Sequence, residues 1–137
     1  MARIKITILA SELKSIAYEM RNAITWAKEK KNIETLKPSL VNLQLIQARV
    51  YAKTQYLGRL GSKLARETSR TEMEVTTLIN QALSAKDFES MRSIVERIQG
   101  KHGHVCRQIE NLYFQNLYAE QGKPRGFVKI FGGTGIK

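Results

Sequence analysis

A chain of 137 residues, 42% apolar and 26% charged, has the make-up of a soluble globular protein and buries a core as one domain. Its single cysteine, Cys106, excludes an intramolecular disulfide, and no apolar run approaches the roughly 18 residues of a membrane-spanning helix. Twenty-three Lys and Arg against 12 Asp and Glu give a formal charge of +11. In a small chain such an imbalance answers a polyanion: RNA, DNA or an anionic membrane.

The excess is uneven. Residues 1–31 carry +4, 32–66 carry +5, 67–99 reverse to −2 and 100–137 return to +4. Cations therefore accompany segments that also supply apolar residues, and the binding surface is expected on the folded body. At the N-terminus two cations and a short apolar patch run straight into Glu12 with no convincing cleavage site. A cytoplasmic location is expected.

From Arg3 to Leu9, Ile4, Ile6 and Ile8 alternate with other residues, the period of a short strand. Ser11 then reads as an N-cap, and Leu13, Ile16, Ala17, Met20, Ile24 and Ala27 as a helical stripe reaching about Lys31. Trp26 lies off that stripe and is expected to cover a neighbouring helix.

The stretch Thr35–Arg66 organises the rest. Leu43, Ile46, Val50, Leu57, Leu60 and Leu64 recur at helical spacing and form a core seam. On one helix Arg49, Tyr56, Arg59, Lys63 and Arg66 would fall within an arc of about 100°, a basic face holding an aromatic. Gly58 and Gly61 are awkward inside it. Either the helix breaks near Gly58, leaving only Arg59, Lys63 and Arg66 together, or the glycines permit close approach of another backbone.

Thr71 followed by Glu74 has the spacing of a capping box, opening a helix with Val75, Leu78, Ile79 and Ala82 inward. Ser84 and Asp87 mark another start, with Phe88, Met91, Ile94, Val95 and Ile98 as its stripe and Gly100 as its end. A last helix is expected from His104 to about Gln121, with Cys106, Ile109, Tyr113 and Leu117 on one face. Beyond it, residues 126–131 have a strand pattern that could pair with Arg3–Leu9. The fold class is all-α, a bundle of four to five helices with a short β pair made by the two terminal segments. Residues 1–121 form the bundle domain and 122–137 a glycine-rich basic tail.

No motif carries chemistry. His102, His104 and Cys106 lack a second ligand pair for zinc. Glu72 with Glu74, and Asp87 with Glu89, sit where helical first turns explain them. No nucleophile, base and oxyanion site assemble, so neither an enzyme nor a cofactor is expected. Arg125–Phe131 lacks the spacing of an RNA-recognition strand. Glu110–Gln115, ENLYFQ, matches a potyviral protease site, and native and engineered origins both stay open.

From Met20-Arg21-Asn22 through Gly103 the chain resembles the small helical subunit of type III CRISPR effector complexes. Leu36-Lys37-Pro38-Ser39-Leu40, Ala48-Arg49-Val50-Tyr51-Ala52, Lys86-Asp87-Phe88-Glu89 and Ile94-Val95-Glu96 stand in the corresponding order. It departs from that family at Lys53-Thr54 and after Gly103. The resemblance implies a non-catalytic bundle that stacks and holds a guide–target duplex or strand. The expected interface is Arg49, Lys53, Tyr56, Arg59, Lys63, Arg66, Lys123 and Arg125, touching RNA phosphates without sequence specificity. The expected partners are RNA, protein subunits of a larger complex and copies of the chain itself, with no small-molecule substrate. Ala48–Ala52 with Ser69-Arg70 and Ser90-Met91 also resembles membrane-remodelling ESCRT-III subunits, the alternative class. That family needs a long unbroken hairpin and an amphipathic N-terminus, so membrane association is the lesser expectation.

Overall fold

The computed structural model describes residues 6–120, with side chains from 8 to 115. Four helices follow one another: α1 (Ile6–Lys28), α2 (Ile33–Arg59), α3 (Lys63–Ser84) and α4 (Phe88–Glu120). Connections of three or four residues force sequential helices to lie antiparallel. Contacts run α1–α2, α2–α3, α3–α4 and α4–α1, which closes an up-down-up-down ring around one core. Leu13, Met20, Ile24, Leu40, Leu43 and Ile79 are among its fully buried side chains. The all-α bundle expected from helical periodicity is what the chain forms.

Four local expectations need correcting. Residues Ile6–Leu9 are the first turn of α1, not a strand. Their two-residue alternation loses to the helical spacing of Leu9, Ala10, Leu13 and Ala17, all buried, which leaves Ile8 outside. Ser11 is consequently interior to α1 rather than its cap. The partner strand at 126–131 lies outside the described residues, and those described contain no strand.

Thr71 does not open a helix either. The start is Ser62, whose hydroxyl accepts the Ala65 N–H at 3.1 Å, and Thr71 and Glu72 fall in the middle of α3. Gly100 ends nothing: α4 runs through Gly100 and Gly103 for 33 residues. Its inward stripe continues from Ile98 through His102, Val105 and Ile109, and that burial outweighs about 1 kcal/mol of lost propensity per glycine.

The expected break is present, slightly late. α2 ends at Arg59, Gly61 turns the chain with φ of 107°, and Ser62 starts α3. Gly58 is buried, and a β-carbon there would stand 3.0 Å from Arg66 Cγ. Both readings of the glycines therefore hold: Gly61 makes the turn and Gly58 lets α3 close on α2.

Candidate nucleic-acid interface

The turn between α2 and α3 gathers Arg59 from the last residue of one helix with Lys63 and Arg66 from the first turn of the next. All three are exposed. The Arg66 Nη1 donates to the Gly58 carbonyl at 3.1 Å, so its guanidinium is held at the C-terminal, negative end of α2. The Arg59 guanidinium lies 5.8 Å from the centre of the half-buried Tyr56 ring. Gln55, Gly58, Arg59, Arg66 and Ser69 line an open recess of about 360 Å³ beside the turn.

The first turn of α3 has no carboxylate, although the macrodipole would favour one there, and Glu67 follows one turn after Lys63. Lys63 adds positive charge to an already positive helix end, whereas Arg59 and Arg66 stand at the negative end of α2. Among the described residues, ion pairs join Arg49 to Glu19 at 3.1 Å, Lys53 to Glu12 at 2.6 Å and Lys101 to Glu74 at 2.8 Å. None involves the three cations of the turn.

The expected interface thus divides. Arg59, Lys63, Arg66 and Tyr56 come together. Arg49 and Lys53 sit along the α1–α2 groove, each facing a carboxylate of α1. The spacing of seven between Glu12 and Glu19 puts them on one flank of α1, a signal present in the sequence but unassigned to Arg49 and Lys53 until helices pair. Lys123 and Arg125 lie outside the described residues. Trp26 covers no helix; it is exposed, with the Lys30 ammonium 5.3 Å from its ring centre.

Beneath the turn, the α2–α3 seam is polar. Glu72, fully buried, faces Thr54 Oγ1 at 2.7 Å, and the same hydroxyl lies 2.9 Å from the Val50 carbonyl. A hydroxyl has one proton to donate. If Thr54 donates to Val50, Glu72 must carry a proton and donate to Thr54. Burial agrees, pushing the Glu72 carboxyl up to about 8 against the opposing Thr54 hydrogen bond. The carboxyl expected to serve a first turn is instead buried in the core, where desolvation favours its neutral form. Gln47, also buried, donates from Nε2 to the Glu72 backbone carbonyl at 3.2 Å.

On the opposite seam, neutral His102 places Nε2 2.8 Å from the Ala17 carbonyl, and burial lowers its pKa. The neighbouring Cys106 thiol is pushed by burial up to about 11, while His104 is exposed. The described residues contain no cluster of three or more His, Cys, Asp or Glu able to hold a metal. The segment 110–115 is helical and contributes to the fold, with Leu112 buried and Tyr18 donating to the Glu110 carboxylate. Among the described residues no helix is long and apolar enough to cross a membrane. No family model, curated protein or solved structure matches the chain.

Proposed function

We propose that this chain is a non-catalytic RNA-binding subunit of a ribonucleoprotein assembly, gripping the phosphate backbone at the α2–α3 turn. One observation carries this reading: three exposed cations, Arg59, Lys63 and Arg66, converge from two helices at one turn, and none of them takes part in an ion pair among the described residues. Phosphate oxygens supply what the site lacks. Arg66 is pre-positioned by its bond to Gly58, which lowers the entropy lost on contact. Tyr56 offers a ring edge beside Arg59 on which a sugar or base can rest. No recognition helix is identifiable in the sequence, so binding is expected to follow charge rather than base identity. The CRISPR small subunit suggested by the sequence resemblance is one assembly with these requirements, acting in the cytoplasm.

Gel shift with mixed single-stranded RNA, run beside flotation on anionic vesicles, tests the class of polyanion. RNA binding that weakens steeply with salt, without flotation, is expected. Flotation without RNA binding would instead select the ESCRT-III-like alternative, and preferential competition by duplex DNA would move the target to DNA.

A further inference from the structure

The outward face of α2 is apolar where a solvated helix would be polar. Val41, Leu45, Ala48 and Ala52 are all exposed and recur at spacings of four, three and four. That is the heptad seam of a coiled coil, on the side away from the buried residues Leu43, Ile46 and Val50. Extending the seam by further heptad steps reaches Glu34 at one end and Arg59 at the other, both exposed. α2 is therefore lined on two sides, once for the bundle and once for something else.

We infer that the something else is α2 of a second copy of this chain, packed antiparallel in a two-fold dimer. The order of residues along the seam is its own complement when reversed. Turning one helix about a point between Ile46 and Gln47 sets Leu45 against Ala48 of the second copy and Val41 against Ala52. Each branched side chain meets a methyl group, so the two backbones approach closely. The same register sets Glu34 against Arg59, opposite charges at both ends, and Pro38 against Gln55. On its flank Arg49 comes within two residues of Asn42 of the second copy, with its charge already answered by Glu19.

A parallel pairing has the opposite character. Glu34 would meet Glu34, Arg59 would meet Arg59, and the large side chains would crowd while the alanines left a gap. The pattern thus selects both the partner and its direction. A single helix pair of 26 positions, roughly 39 Å long, lies at the small end of specific interfaces. The dimer is accordingly expected to dissociate in the micromolar range. The three-cation grip at the α2–α3 turn therefore belongs to the monomer, the state present below the micromolar range, whereas in the dimer Arg59 faces Glu34 and only Lys63 and Arg66 stay free at each of its two ends.

Sedimentation equilibrium of the full chain, without nucleic acid, tests this independently of RNA binding. A reversible monomer–dimer equilibrium is expected. Leu45→Glu should weaken it at least tenfold with the helical circular dichroism unchanged, since Leu45 is exposed. Glu34→Arg and Arg59→Glu should each weaken the dimer, and the double variant should recover it. A monomer persisting at several hundred micromolar, a dimer indifferent to Leu45→Glu, or a double variant weaker than either single one would overturn the assignment.

Discussion

Glu72 sits fully buried with one oxygen on Thr54 and the other unpartnered, and its proton links stability to pH. Its folded pKa of about 8 lies above the ordinary 4.5, so the folded state binds the proton more tightly than the unfolded chain. The contribution is fully present below pH 4.5 and is lost as pH rises toward 8, at about 1.4 kcal/mol per pH unit. Glu72→Gln keeps the shape without the charge. It is expected to stabilise the protein by roughly 1–3 kcal/mol at pH 7 to 8 and to flatten the dependence, as read from urea unfolding between pH 5 and 9. An unchanged pH profile would mean that Glu72 is ionised in the fold. His102 works in the other direction: its lowered pKa costs stability as pH falls below about 6.5. Gly58→Ala forces a β-carbon against Arg66 Cγ at 3.0 Å and is expected to destabilise by about 1–3 kcal/mol. Gly100→Ala, with open space at the same distance range, should stabilise by about 0.5–1 kcal/mol. Thermal melts of the two variants should move in opposite directions.

The α2–α3 turn shows what helical periodicity reveals and what it hides. Leu43, Ile46, Val50 and Leu57 were readable as a buried seam because burial follows a 3.6-residue period in any bundle, whereas Leu60, read into the same seam, lies past the end of α2 and is exposed, and Leu64 is only half-buried. The turn itself was readable from Gly58 and Gly61, since a break leaves Arg59, Lys63 and Arg66 adjacent. Arg49 and Lys53 were misassigned to the same surface because their neutralisers stand on another helix, and one chain segment does not reveal its neighbour's charges. Glu72 was hidden by Thr71 and Glu74, whose spacing imitates a cap; only burial against α2 distinguishes a capping carboxylate from a core one. Residues Ile6–Leu9 were misread because three alternating isoleucines carry β propensity, while burial of Leu9 and Ala10 decides for helix. Gly61→Val, which puts a β-branched residue at φ of 107°, is expected to cost at least about 1–2 kcal/mol. If the turn positions the cations, it should also weaken RNA binding, whereas loss of stability alone would leave the affinity of the folded fraction unchanged.

Of the formal +11 of the whole molecule, Arg3, Lys5, Lys123, Arg125, Lys129 and Lys137 supply six and lie outside the described residues, and residues 6–120 carry +5. Truncation after Glu120 removes four cations and is expected to lower RNA affinity at low salt, as read by gel shift against the full chain. The cations that the bundle itself places are probed by the salt dependence of single-stranded RNA binding for the wild type and the Arg59→Ala/Lys63→Ala/Arg66→Ala variant. Each lost phosphate contact should reduce the slope of log K against log salt by about 0.7. The triple variant is therefore expected to show a slope shallower by about 2, with its melting temperature near that of the wild type. Equal slopes for the two folded proteins would contradict a phosphate grip at the α2–α3 turn.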